Sequence, residues 1–313
     1  MELNQELLNA IYNQFYLTTL DGYLVKRHKE LSNLTNLLYS SLPSVKIIPF
    51  EKQISKRGTI NLEREFLTSL NPEYRKQFDS DYRGRHIISK KGKKGNYYLD
   101  LKRNYYKIYY PKTSHIEDFE KLTHEYIHHL STQFPKIREE SSSYKVYCEI
   151  LSLLGELKGL NFLQNLGISE QEIEIYKNNR LKELKLGFEM FLFVEPLLHT
   201  FLLQDQLTES HINELLEINR YYKILGKKDT IYNLNWLLSG NLEKSISSYV
   251  YPLGLAWASS LHQDGISDER FCQLMETINT VDVREFETML PNKNSIELVD
   301  AAKKEFCLKK IRK

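Results

Sequence analysis

Cysteine is scarce in this chain. There are three among 313 residues, Cys148, Cys272 and Cys307, with no C-x-x-C pair. An odd, scattered set argues against a disulfide framework. An excess of one charge is also missing. The 43 Lys and Arg nearly balance the 41 Asp and Glu, and the net charge of +2 gives no general attraction to nucleic acid or anionic membrane. The two basic runs, KKGKK (90–94) and KKIRK (309–313), are short and read as solvated surface. No apolar run approaches the ~18 residues of a membrane span. The first residues, MELNQELLNAIYNQFYL, carry early charge and lack the apolar core of a signal peptide. A cytoplasmic protein with reduced thiols is expected. Glycine (13) and proline (8) are few against 21 tyrosines, so each break they make can be placed individually.

What remains is ordinary for a soluble globular protein: 41% hydrophobic and 27% charged residues. The length fits one large domain or two small ones. Most of the chain has helical period. Leu3, Leu7, Leu8, Ile11, Phe15 and Tyr16 form one stripe in 2–20, and Leu31, Leu34, Leu37 and Leu38 another in 26–41. The stretch 43–60, with Pro43 and Pro49, is irregular; a helix over 61–70 should end before Asn71-Pro72. Further helices are expected over 144–164, 169–204, 209–225, 229–239, 245–262, 267–278 and 294–309. One region differs. RHIISKKGKKGNYYLDLKRNYYKIYYPKT (85–113) is rich in Ile and Tyr and punctuated by Gly92 and Gly95. It predicts two or three strands with turns near 91–95 and 102–104. The expected fold class is mainly α with a small antiparallel β-sheet, α+β.

Directly after these strands comes THEYIHHLS (123–131), which contains H-E-x-x-H. Ser114 and Glu117 have the spacing of a capping box that would start a helix over about 115–132. Phe119, Leu122, Tyr126 and Leu130 fall on one stripe, and His124 and His128 lie nearly opposite it, one turn apart. Two imidazoles at that spacing can face one ion, with Glu125 rotated off the metal but within reach of an attacking water. Two His and one carboxylate with an open fourth position is the catalytic zinc arrangement, so one Zn2+ is expected. His115 is read as an exposed first-turn residue and His129 as a helix-side residue, either a group behind the ligands or, the preferred reading, a plain surface residue.

A third ligand should stand on a nearby helix. Glu139 and Glu140 fall in the loop expected after Pro135. Glu149 lies 21 residues beyond His128, inside SSYKVYCEILSLLGELKGL, far enough for one helix to finish and another to return along it. Tyr147, Ile150, Leu151 and Leu154 give that second helix an apolar face. Glu156, two turns further on, is the other candidate and is preferred as a group behind the ligands.

The window 90–157 resembles the thimet oligopeptidase and oligoendopeptidase F family of zinc peptidases. KKGNYYLD and YYKIYYP stand where that family has its edge strand and apolar strand before the zinc helix. Glu149, Ser152 and Glu156 repeat its Glu, Ser at +3, Glu at +7 pattern. SSYVYPLGLAWASSL resembles its late Tyr-x-Tyr segment, with Tyr249, Tyr251, Gly254, Ala256 and Ala258. The resemblance implies a zincin-like catalytic core, zinc on His124, His128 and Glu149, and Glu125 as general base. It implies Ser152 and Glu156 supporting the ligands, and Tyr251 or Tyr249 donating to the oxyanion. Gly92, Gly95 and Asn96 would lie near the strand that pairs with substrate backbone. The chain departs from the family at Ile127, where the family usually has Gly, in a shorter interval between zinc helix and third ligand, and in lacking the His before Tyr-x-Tyr. Family members are roughly twice as long. Residues 1–80 are therefore expected as an N-terminal helical segment, a candidate lid, and 81–313 as the mostly helical catalytic domain.

The function expected is zinc-dependent hydrolysis of peptide bonds in oligopeptides or flexible protein segments, with no nucleic-acid or membrane partner and no expectation about oligomeric state. The alternative is a zinc-stabilised, non-hydrolytic protein that holds a peptide or partner on the same scaffold.

Overall fold

In the computed structural model, residues 5–6, 8–10, 13, 22–50, 53–91, 95–100, 105–132, 142–203, 208–218, 229, 232–237, 239, 245 and 248–306, less 279–282, are described. The described residues are mostly helical with one small sheet. In chain order the elements are α1 (Gly22–Ser41), α2 (Lys56–Leu70), α3 (Pro72–Arg83), β1 (Ile87–Lys90), β2 (Asn96–Asp100), β3 (Tyr105–Pro111), α4 (Ile116–Thr132) and α5 (Ser142–Asn165). They continue with α6 (Glu170–Leu203), α7 (Glu209–Ile218), α8 (Val250–Gln263), α9 (Asp268–Thr277), α10 (Val283–Met289) and α11 (Ser295–Phe306). None of the described helices is long and apolar enough to cross a membrane.

The chain divides into two compact units. One comprises Met1–Ser41, Ser141–Ser143 and Glu183–Leu253. Its core includes Leu31, Leu34 and Leu38 of α1 and Phe188, Phe191, Leu197 and Leu198 of α6, all buried. Tyr39 donates to Glu189 Oε1 at 3.0 Å, and Lys185 Nζ lies 4.7 Å from the Tyr39 ring centre. The other unit comprises Leu42–Glu140, Tyr144–Lys182 and Gly254–Lys313. The expected boundary between residues 80 and 81 falls inside α3.

Local sequence explains how the second unit's helices start and stop. The Ser55 side chain caps α2 by accepting from Gly58 N. Asn71 closes α2 with its N–H on Leu67 O and then caps α3, accepting from Glu73 N, with Pro72 in the first turn. Proline is tolerated there because that N–H has no helical partner to lose. Helices α5 and α8 end alike, at Gly167 (φ 84°) and Gly265 (φ 71°), in the left-handed region that glycine enters cheaply. Ile168 N then bonds Leu163 O at 3.0 Å, and Ile266 N bonds Leu261 O at 3.2 Å.

The sheet order is β1-β3-β2. β2 and β3 form the expected antiparallel ladder, with Tyr97 opposite Ile108. β1 runs parallel to β3, with Ile87 opposite Ile108, so the sheet is mixed rather than wholly antiparallel. Ile87, Ile108 and Tyr110 are buried, and β3 and β2 pack on α4, while Tyr98 and Tyr105 are exposed. Under α4 lies an aromatic cluster: Phe66 meets Phe119 at 6.0 Å and Phe162 at 5.6 Å, and Phe78 meets Tyr126 edge-on at 5.0 Å.

Candidate metal centre

Helix α4 does not begin with the expected Ser114–Glu117 box. Ser114 sits at φ 66°, in the left-handed region, and Asp118 reaches back to hold the turn. Its Oδ1 accepts from Thr113 N and Oγ1 at 2.8 and 2.7 Å, and its Oδ2 accepts from Ser114 N at 2.9 Å. The helix is buried on nearly every side, so the face opposite the Phe119 stripe meets protein rather than solvent.

On that face three ligand-type atoms converge. His124 Nε2 and His128 Nε2 are 3.0 Å apart. Glu149 Oε2 of α5 lies 3.3 Å from His128 Nε2 and 3.8 Å from His124 Nε2. Among the described residues this is the group of His, Cys, Asp and Glu side chains whose atoms lie close enough to hold one ion. The spacing fits zinc: N and O atoms ~2.0–2.2 Å from a tetrahedral ion stand ~3.4 Å from one another. The electrostatics fit as well. Glu149 Oε1 is buried with no hydrogen-bond partner among the described residues. Burial alone would depress the His128 pKa, but hydrogen bonds from its ring to Cys148 and Glu149 and the charges of Glu149 and Glu125 push it up to about 10. Burial would raise the Glu149 pKa, yet His124 and His128 hold it below the ordinary value. Surroundings that favour positive charge on His128 and negative charge on Glu149 suit a divalent cation.

Glu125, next to His124 on α4, is 8% exposed, and its charge acts on the His128 ring. A Cβ added to Gly95, the residue just before β2, would stand 2.7 Å from Glu125 Oε1. Gly95 thus brings backbone against the carboxylate, and a larger residue there would require the carboxylate to move. Asn96 begins β2, opposite Tyr109, and is exposed. Gly92 lies outside the described residues.

Glu156 stands against His124. Its Oε1 is 2.6 Å from His124 Nδ1, an approach that is short but bent, so it acts mainly through charge. With Nδ1 facing a carboxylate, Nε2 is the nitrogen left to face the ligand cluster. Sequence reasoning missed what holds Glu156. Arg180 of α6 donates to both of its oxygens, and Tyr176 adds a third bond. Burial pushes the Glu156 pKa up, but the Arg180 and His124 charges bring it well below the carboxylate range. The one hint in the sequence is the i,i+4 placement of Tyr176 and Arg180 beside the apolar Ile173, Leu181 and Leu184.

Ser152, also expected to support the ligands, is fully buried, and its hydroxyl has no hydrogen-bond partner among the described residues. Gly254 of α8 packs against the third ligand: a Cβ there would come within 2.9 Å of Glu149 Cγ. Tyr249 and Tyr251 belong to the other compact unit. There Tyr249 is buried, its ring 6.1 Å from Phe191, and Tyr251 is half-buried with its ring against Gly187.

His129 corrects the sequence reading. It is 2% exposed, not a surface residue. Its Nε2 lies 3.3 Å from Asp81 Oδ2, and its ring stacks on Tyr106 at 4.2 Å. Asp81 also accepts from Tyr106 and Tyr126 at 2.5 and 2.9 Å. Tyr97 of β2 joins through its hydroxyl, 3.4 Å from His129 Nδ1 and 2.9 Å from Thr132 Oγ1. The network pins α3, β3 and β2 to the ligand-bearing helix. Cys148 and Cys272 are free and buried; Cys307 lies outside the described residues.

No protein-family model matches the sequence, and no curated protein matches it. Solved structures do resemble the fold. One is the "putative peptidase from Chlamydophila abortus", with TM-score 0.55 and 14% identity over 97% of this chain and 58% of that one. Another is the "putative oligoendopeptidase F from Bacillus anthracis str. Ames", with TM-score 0.50 and 14% identity over 97% of this chain and 56% of that one. The chain therefore spans a little over half the length of each. At this identity the likeness carries the fold and nothing narrower: the chain shares a mainly helical α+β architecture with two structures named as peptidases.

Proposed function

We propose that the protein is a zinc metallopeptidase of the thimet oligopeptidase and oligoendopeptidase F type, in a shortened form, that hydrolyses oligopeptides or flexible protein segments. The observation that carries this reading is the convergence of His124 Nε2, His128 Nε2 and Glu149 Oε2 within 3.0–3.8 Å, with Glu125 beside them. The fold likeness to structures named as peptidases supports it.

In this reading His124, His128 and Glu149 hold the ion. Zinc bound there supplies a Lewis acid that polarises the scissile carbonyl and acidifies water. Glu125 takes the proton of the attacking water on a carboxylate oxygen and returns it to the leaving amine. Its position against Gly95 puts that proton transfer beside the start of β2, so β2, through Gly95 and Asn96, is the strand assigned to substrate backbone. Ser152 and Glu156 support the ligands from behind. A tyrosine hydroxyl, Tyr251 or alternatively Tyr249, is assigned to the oxyanion on the sequence pattern alone.

The test is metal analysis of the purified protein together with a quenched-peptide library, with and without chelator. One zinc per chain and chelator-sensitive cleavage are expected. Glu125→Gln should keep the zinc and lose most turnover. Zinc binding without cleavage across broad libraries would favour the non-hydrolytic binder instead, and cleavage by Glu125→Gln at the parent rate would remove Glu125 as the base.

A further inference from the structure

Tyr176 and Arg180 lie one turn apart on α6 and aim at the same carboxylate. Arg180 Nε donates to Glu156 Oε2 at 2.9 Å and Nη2 to Oε1 at 2.7 Å. Tyr176 OH donates to Oε2 at 2.8 Å. Glu156 is 2% exposed, so these bonds form away from bulk water. A planar guanidinium gripping both oxygens fixes the plane of the carboxylate as well as its position, which a lysine ammonium cannot do. The oxygen left turned toward α4, Oε1, meets His124 Nδ1 at 2.6 Å.

We infer that Arg180, with Tyr176 beside it, is a positioning residue for the metal centre. It holds the Glu156 carboxylate in one orientation, and that carboxylate's charge, 2.6 Å from Nδ1, favours the His124 ring orientation in which Nε2 faces His128 and Glu149. The inference rests on the metal reading above. A buried ion pair whose sole role was to tie α5 to α6 would change folding stability when broken and leave the ligand geometry alone. A positioning pair changes the ion's surroundings although these Arg180 and Tyr176 bonds go to Glu156 and not to a ligand. Partners one step behind metal ligands typically account for ten- to hundred-fold of affinity.

The full-length protein, stripped by chelator, is titrated with Zn2+ against a chromophoric competitor. It is titrated separately with Co2+, whose visible absorption reports ligand geometry. Arg180→Met should lower zinc affinity about ten- to hundred-fold and shift or weaken the Co2+ band. Arg180→Lys, which restores charge without the fork, should fall between wild type and Arg180→Met. Tyr176→Phe should lower affinity by about two- to five-fold, as the lesser of the two supports. Tight binding by wild type, with Arg180→Met within twofold of it and an unchanged band, overturns the inference and leaves the metal reading standing. A wild type that binds neither ion overturns both. Should Arg180→Met fail to fold, Arg180→Lys and Tyr176→Phe decide in its place: unchanged affinity and band in both overturn the inference.

Discussion

Ile127 on α4 and Gly155 on α5 share one space. A Cβ built on Gly155 would stand 2.8 Å from Ile127 Cγ1, and both positions are buried. The family that the sequence resembles usually has glycine at the Ile127 position; here the bulk sits on α4 and the clearance on α5. The two helices carrying the ligand atoms therefore approach closely at this point. Gly155→Ala should overpack this contact and cost about 1–3 kcal/mol of stability. Ile127→Ala should relieve it, so the double variant should be more stable than the sum of the single costs by about 1 kcal/mol or more. Urea unfolding of the four proteins measures this, and strictly additive costs would show that the residues do not share the space.

Gly95 has the same relation to Glu125. Its added Cβ would meet Oε1 at 2.7 Å, and the carboxylate, not the strand, is the part free to give way. Gly95→Ala should therefore leave zinc content near that of the parent and lower peptide turnover on the order of 100-fold, the scale of a misplaced catalytic group. Parallel metal analysis and peptide kinetics check it; loss of metal together with turnover would mean that the whole centre had moved.

The parts of this centre differ in how plainly the sequence carried them. His124, His128 and Glu149 were legible because each helix announces itself by its own period, and 21 residues is a natural return distance. Helix α3 has no sign in the sequence, because Asn71-Pro72 reads as a stop. It is a stop and a start: the same Asn caps the next helix, and proline's missing N–H costs nothing in a first turn. The burial of His129 is not legible, because a period tells which residues share a face, not what covers the face. The parallel β1–β3 ladder was invisible for a similar reason, since strand composition does not encode the direction of a partner. Arg180 was the least legible. Its partner is chosen by how α6 crosses α5, and nothing within one helix specifies that.

Acid should expose a separate weak point. Glu305 of α11 is 5% exposed. It lies 2.8 Å from His262 Nδ1 and 2.5 Å from Lys177 Nζ. Burial pushes its pKa up, but His262 and Lys177 more than offset this and lower it from 4.5 to about 2. The folded chain therefore gives up this proton more readily than the unfolded one. The stabilisation is complete above about pH 4.5 and disappears as pH falls toward 2. Glu305→Gln should lose on the order of 3 kcal/mol at neutral pH and show a shallower loss in acid. Unfolding midpoints at pH 7, 4 and 3 measure both; parallel pH dependences in the two proteins would rule Glu305 out as the source.

Alkali should act with the opposite sign through Glu63. This α2 carboxyl is fully buried and accepts from Thr123 Oγ1 at 2.7 Å through Oε2. Oε1 has no hydrogen-bond partner among the described residues. Burial, only partly offset by the Thr123 bond, raises its pKa from 4.5 to about 8. Between these values the folded chain keeps a proton that the unfolded chain has lost. Stability therefore falls as pH rises from about 4.5, and the penalty is complete above about 8. Glu63→Gln retains an acceptor for Thr123 and removes the titration. Relative to wild type it should gain on the order of a few kcal/mol between pH 5 and pH 9. Glu120, the neighbouring buried acid that Glu63 helps to hold well above its ordinary pKa, loses that contribution in the variant, so the gain reports Glu63 together with its repulsion of Glu120. Urea midpoints that move with pH identically in wild type and variant would show that Glu63 is already ionised in the folded chain, and that α2 and α4 enclose a charge rather than an acid.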